Sequence, residues 1–452
     1  MGGLSLLSEI GKQGMLLSQF KIQITGKNVS NVNTEGYSRQ RVDVNPILPE
    51  LLSGFSLASA INGDTLRRIR ENFVDRQLWN QNSLLSRYTS ENTLLRQIEG
   101  VLPASNETGL GVILDDFWSA WNGLANDPES SVARTVVRDR GETLALSFNR
   151  VFEEFSDLQG VISGEIKARV SSLNELAFQL AQLNELNPTG NPDLEDQRDR
   201  IIGRMAELAN IDVQRGESGE SVFVSGLLLV AGTISFELTV QESVGADGIS
   251  QIITTIGGTE RQIEITAGEI SGLIAVHNED IPAILNDLDT LAVTIAQEVN
   301  SRHSAGFNLD GVTGLNFFTD TVEGAGSLAL NSAILDNVDL IASADAAGEP
   351  GNSNVAKSLS DLVDIDTIGN QTIGQFYRSL VGTLGNRIQA VDFLQNNQQR
   401  IVDHLRAQQQ SVAGVSIEEE MTRLMQLEQA FVAASRLVRT ADELTRTLLN
   451  MT

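Results

Sequence analysis

Residues 377–405 read YRSLVGTLGNRIQAVDFLQNNQQRIVDHL. Within them Tyr377, Val381, Leu384, Ile388, Val391, Gln395, Gln398, Val402 and Leu405 recur at alternating four- and three-residue steps. Two such steps come close to two helical turns, so one side of a long helix carries the whole set. Gln395 and Gln398 interrupt the apolar seam and are expected to weaken packing locally. A second seam lies far upstream, where Val74, Leu78, Gln81, Leu85, Tyr88, Asn92 and Leu95 keep the same spacing on a helix expected from Glu71 to about Glu99.

A third seam occupies the end of the chain. Ser416 and Glu419 have the spacing of a capping box, and Ile417, Leu424, Leu427, Phe431, Ala434, Val438, Ala441 and Leu448 follow. Leu437, Leu444 and Met451, seven apart, lie outside that seam, so one seam can pack within the chain while the other seeks a partner. Near the start, Ile10, Leu17 and Ile24 repeat by seven, with Leu6 ahead of them and Phe20 among them. Gly11 and Gly14 each cost roughly 1 kcal/mol in a helix interior, which makes this first helix marginal alone.

Between the helical ends the character changes. From Ile211 to about Ile265 the chain is rich in glycine and β-branched residues, with period-two stretches such as Ser221-Val-Phe-Val and Ile263-Glu-Ile, and reads as a small β insertion. A Gly-, Asn- and Asp-rich stretch from Gly306 to about Asn370 has short apolar pieces at Phe317-Phe318, Leu328 to Leu330 and Val338 to Ile341, and reads as loop with short strands. Helical signal resumes from Gly268 to about Ser304 and again from Thr372. The expected fold class is mainly α with β insertions: an elongated multi-domain chain whose N- and C-terminal helices pair into a coiled-coil or bundle framework, with small β-rich modules projecting from it. The expected units are terminal helices (1–60 with 412–452), a helical bundle (61–210 with 268–305 and 371–411), and insertions at 211–267 and 306–370.

Composition narrows the function. The chain has 452 residues, enough for about three domains. Its 32 Lys and Arg stand against 59 Asp and Glu, a net charge of -27. Such a surface repels nucleic-acid backbones and anionic lipid. The longest apolar run, Leu227 to Ala231, is far short of a membrane span, and the first residues carry no basic region of a cleaved signal. With no Cys, thiolate metal sites and cysteine nucleophiles are excluded.

Catalytic patterns are missing as well. His277, His303 and His404 fall in separate segments without ligand spacing. Gly216-Glu-Ser218-Gly219 lacks the last glycine of a nucleophile elbow, and Gly26-Lys27-Asn28 has Asn where a P-loop needs Ser or Thr. Asn308-Leu-Asp310-Gly311 reads as a turn rather than a calcium loop. Asp193-Leu-Glu195-Asp196-Gln-Arg198-Asp199-Arg200 could supply paired carboxylates. Asn191 at the N-cap, Pro192 at the first helical position and an Asp196–Arg200 pair make a helix start the better reading. Trp118 and Trp121, flanked by Leu114, Phe117 and Leu124, read as a helical core face. No catalytic, cofactor or metal site is expected, nor any partner among nucleic acids.

The stretch from Gly26 to Gln40 is more specific. Asn28, Asn31, Asn33, Thr34, Gly36 and Tyr37 form an Asn-rich turn after an amphipathic helix that resembles the N-terminal signature of bacterial flagellar axial proteins. The Tyr37-Ser-Arg-Gln continuation is similar to the hook-associated protein 1 family, the first of two hook-filament junction proteins. Further segments agree in order: Arg70 to Leu78; Leu114 to Ala120 with Asn126 to Pro128 and Ala133-Arg134; Asp193 to Asp199, with Asp196, Gln197, Arg198 and Asp199 at its centre; Val299-Asn300, His303 to Gly306, Asp310-Gly311 and Phe317-Phe318; and Gly414 to Glu420 through Leu444. The two insertions show no matching motif.

The resemblance implies a non-enzymatic structural adaptor outside the cell. It would be exported by the flagellar type III apparatus without a cleaved peptide and assembled as a ring between hook and filament. Its partners would be copies of itself, hook protein, the second junction protein, the export apparatus and an export chaperone on the C-terminal helix. Leu6, Ile10, Leu17, Phe20 and Ile24 are expected to pack with Ile417, Leu424, Phe431, Val438, Leu444 and Leu448 in an inner tube.

Overall fold

The computed structural model describes residues 2–34, 36–43, 66–102, 109–186, 191–216, 219–242, 250–256 and 259–450. Residues 44–60 of the expected terminal unit, and Met451 of the C-terminal repeat, lie outside the described residues. The chain begins with α1 (Gly2–Ser30), β1 (Gln40–Val42), β2 (Leu66–Arg68), α2 (Asn72–Val101), α3 (Leu110–Asn126), α4 (Ser131–Leu186) and α5 (Pro192–Leu208). Strands follow: β3 (Ile211–Gly216), β4 (Gly219–Val224), β5 (Leu227–Ala231), β6 (Ile234–Ser235), β7 (Leu238–Glu242), β8 (Ser250–Ile256) and β9 (Thr259–Ile263). The rest comprises α6 (Glu269–Ala275), α7 (Ile281–Ala305), α8 (Ser332–Asp336), α9 (Asn354–Ser360), β10 (Asp366–Ile368), β11 (Gln371–Thr372), α10 (Ile373–Ala413) and α11 (Ile417–Asn450).

The seams of residues 74–95 and 377–405 meet as antiparallel α2 and α10. Their polar positions correct the expectation of a weakened contact, because they hydrogen-bond one another across the seam. Gln398 Nε2 donates to Gln81 Oε1 at 2.6 Å and to its carbonyl at 2.9 Å, and Asn92 donates to Gln395. Paired amides inside an apolar seam satisfy each other in only one alignment, so they pin register. Thr372 caps α10 in a reciprocal box with Gln375.

The longest element is α4, 56 residues, or about 84 Å at the usual helical rise. Val137, Leu144, Phe148, Phe155, Ile162, Ile166, Leu173 and Leu180 line its buried face. Against it lie two antiparallel sheets, β3-β4-β5-β6 and β7-β8-β9. Val222 and Val224 point inward on β4, as their alternation predicts, with Val222 paired to Val230 and Ile252 to Ile263. Residues 276–280 take π-helical spacing between α6 and α7, just ahead of Pro282, so helix continues past a residue without an N–H.

The 306–370 stretch departs from expectation. It holds two short helices, isolated bridges pairing Phe307 with Ala344 and Phe318 with Leu330, and the small β10-β11 hairpin. Rather than projecting, it packs into the same continuous core as the helices: Phe317 and Phe318 are fully buried beside Phe117 and Trp121. Two buried cations or ring groups anchor it. Arg134 donates to the Ile341 and Pro128 carbonyls and to Ser343 Oγ, while His303 bridges the Leu315 carbonyl and the Ala342 N–H.

Candidate functional site

The first and last helices pair antiparallel, the start of α1 lying beside the end of α11. Gly11 and Gly14 sit at the closest approach. A Cβ on Gly11 would stand 2.6 Å from Val438 Cγ2 and 3.3 Å from the Ala434 carbonyl, and one on Gly14 would stand 3.3 Å from Ala434 Cβ. The glycines that weaken α1 in isolation are thus what lets α11 come close.

The expected assembly residues divide into two groups. Ile24 is buried, and Leu17, Phe20, Leu424, Phe431 and Val438 are half-buried, in keeping with the seam between the two helices. Leu6, Ile10, Ile417, Leu444 and Leu448 remain 44–50% exposed. Ser416 Oγ accepts from the Glu419 N–H at 3.4 Å, which supplies one half of the expected capping box.

At the base of the pair the Asn-rich turn becomes a polar hub. The Asn28 carboxamide is buried, donating to the Gln40 carbonyl and to Glu420 Oε2, both at 3.0 Å. Its oxygen accepts from the Gln40 N–H at 3.0 Å and from Tyr37 Oη at 2.8 Å. Every hydrogen-bonding site of that side chain is filled. Asn31 closes the helix end by donating to the Lys27 carbonyl, and Thr34 donates to Asn31. Asn33 is exposed. Gly36 has φ +73°, and a Cβ there would stand 2.7 Å from the Arg200 stem, so glycine is required twice over.

The acidic helix start of α5 is the seat on which this hub rests. Asn191 caps α5 by accepting from the Asp193 N–H, with Pro192 following, as expected. The expected Asp196–Arg200 pair does not form. Asp196 instead accepts from the Ser38 N–H at 3.1 Å and pairs with Arg68 at 2.8 Å, because a buried carboxylate is better served by groups converging from other elements than by its own helix face. Asp199 takes Arg68 at 2.5 Å, Arg70 at 2.6 Å and Arg215 at 3.4 Å. Asp193 holds Lys27 at 2.6 Å and Gln40 Nε2 at 2.9 Å. Arg198 donates to the Leu183 carbonyl, and Gln197 is exposed.

Charges here follow their surroundings. Burial acts to raise the Asp193 carboxyl, but hydrogen bonds from Lys27 and Gln40 outweigh it and hold it below its ordinary value. Burial by itself would lower Arg68; Asp199, Asp196 and Glu195 outweigh that and keep it above its usual value. Burial, with Asp193, Asp196 and Glu420 nearby, pushes the Tyr37 phenol up. The carboxylates suspected of acid–base chemistry are engaged in structure. Among the described residues, no group of three or more metal-ligating side chains is placed to hold an ion, and no helix is long and apolar enough to cross a membrane. Asn308 Oδ1 accepts from the Asp310 and Val312 N–H groups, which makes that motif an Asx turn.

Known proteins match this arrangement. The family model described as the flagellar hook-associated protein FlgK helical domain covers residues 95–318, and that of the flagellar basal body rod FlgEFG protein C-terminal covers 408–451. Flagellar hook-associated protein 1 of Bacillus subtilis is 29% identical over 98% of this chain and 97% of its own length. Its Escherichia coli counterpart is 22% identical over 99% and 100%. The flagellar hook junction protein FlgK from Burkholderia pseudomallei superposes with a TM-score of 0.69 at 16% identity, covering 75% of this chain and 100% of that one, and shares its fold. The matched stretches, more than half of the chain together, define a structural protein of the flagellum. The chain belongs to the flagellar hook-associated protein 1 family.

Proposed function

We propose that this chain is a hook-filament junction protein that self-assembles on the distal end of the hook and adapts it to the filament. The observation that carries the reading is the α1/α11 pair. It is seated on the body by Asn28 and the α5 carboxylates, yet keeps a large part of its apolar surface uncovered. Soluble chains seldom leave such surface open without something to cover it. In this reading the pair lines an inner tube, copies form a ring, hook protein lies below and the second junction protein above. The chain leaves the cell through the flagellar type III apparatus without a cleaved signal, with a chaperone shielding α11 until export. The role is structural rather than catalytic.

The test is electron microscopy of cells lacking the chain, with flagellin assayed in the medium. Bare hooks and released flagellin are expected. Missing hooks would indicate a rod or hook component instead, and intact filaments would overturn the assignment.

A further inference from the structure

The turn after α1 and the chain entering α11 do not close onto the body. Between them and α2, α5 and α10 a cleft of about 1050 Å³ stays open, at the upper end of small-ligand sites, roughly 300–1,000 Å³. Its wall on the body is one face of α5, where Arg200, Gly203, Arg204 and Glu207 recur at three- and four-residue steps. Its floor is apolar, with Leu78 and Trp79 of α2 on the body and Val32 and Val415 on the side of the pair.

Donors in this cleft lack acceptors. The carboxylates that reach it are engaged already: Asp199 by Arg68 and Arg70, Glu419 by Arg39, and Glu207 by a partner of its own. Arg200 and Arg204 make no ion pair among the described residues. In a chain with 59 acidic residues against 32 basic ones, that is not for want of acids. Trp79 is only 8% exposed, and its Nε1 stands 3.9 Å from where a Gly203 Cβ would be. Its N–H has no acceptor among the described residues, and Gly203, having no side chain, leaves it uncovered. A buried indole N–H ordinarily finds a partner.

Guanidinium and indole N–H groups donate and do not accept, so the group that completes this site is an oxyanion. The planar fork of arginine fits a carboxylate. A bare ion would fill a small part of the volume and leave the apolar floor wet. We propose that the cleft binds an acidic peptide segment of a partner protein. A carboxylate of the segment takes Arg200, Arg204 and the Trp79 N–H, and an apolar side chain beside it lies on Leu78. A segment seated there touches the pair and the body at once, across their polar joint, and fixes the angle between them.

Trp79, Trp118 and Trp121 are the three tryptophans of the chain, so the full-length protein labelled with 15N-tryptophan gives three indole N–H signals. The Trp79 signal is the one lost in Trp79→Phe. Titration with the peptide acetyl-Leu-Glu-Glu-Leu-amide should move that signal saturably, and the matching peptide with Gln in place of Glu should leave it in place. Arg200→Gln and Arg204→Gln, both at exposed positions that keep the fold, should each weaken binding about tenfold, the loss of one charge-assisted hydrogen bond. An unmoved Trp79 signal with the acidic peptide, an equal response to the Gln peptide, or unchanged affinity in both arginine variants would overturn the proposal. So would inorganic phosphate reproducing the full response at the same concentration, which would show a site for free oxyanions.

Discussion

One side-chain type does repeated structural duty in this chain. Asn28, Asn174, Asn184, Asn278 and Asn300 each sit on a helical segment, and each carboxamide donates to the carbonyl and accepts from the N–H of one residue: Gln40, Leu238, Glu220, Ser250 and Phe318 respectively. A carboxamide presents the same donor–acceptor pair as a strand residue, so a helix uses it to close a sheet edge or hold a loop. Asn184 also donates to the Gly232 carbonyl at 2.7 Å. Asn184→Asp removes both donors from a buried site and should cost about 2–4 kcal/mol in urea unfolding; a loss under about 0.5 kcal/mol would contradict the clamp. His303 gives a pH signature. Burial, with Arg134 nearby, lowers it to about 4 although its bond to the Leu315 carbonyl acts the other way. The folded state then refuses a proton that the unfolded chain accepts near pH 6.5, so stability falls as pH drops from about 6.5 to about 4, by about 3 kcal/mol in all. The stability gap between the natural chain and a His303→Asn variant should narrow over that window in chemical denaturation; a constant gap would refute the account.

Among the elements, those with a single dominant partner were legible in sequence. The α2 and α10 seams show because each packs chiefly against the other, so the heptad survives unmixed. The 56-residue span of α4 does not show. Its neighbours change along its length, from the 306–370 segment at Arg134 and Asn149 to the sheets at Asn174 and Asn184, and at Gly141 the Phe317 ring lies within 2.8 Å of a would-be Cβ. The polar seat was half legible. Asn28, Gly36 and the α5 acids each stand out, but Ser38 and Asp196 are 158 positions apart and only tertiary packing brings them together. Gly11 carries the sharpest prediction at this scale. Gly11→Leu drives a side chain into Val438 and should separate α1 from α11. Hydrogen exchange would then show lost protection confined to these two helices, with α4 protected as before; unchanged protection in α1 would refute the close packing.

Across the whole molecule, most buried apolar residues of the body form one continuous core running through helices, sheets and the 306–370 segment, with a smaller separate cluster of Leu78, Val402 and Leu405 between α2 and α10, while the α1/α11 pair has only its own seam. The pair is joined to the body through hydrogen bonds and ion pairs at Asn28, Gln40, Glu420 and the α5 acids rather than through shared core. Damage to the pair should therefore spare the body. The central claim is that this pair performs assembly, and the double variant Phe431→Asp, Val438→Asp tests it most directly. Its body should keep the natural chain's thermal transition, while cells carrying it should bear hooks without filaments. Normal filaments on cells carrying a variant with a separated α1/α11 pair would contradict the account.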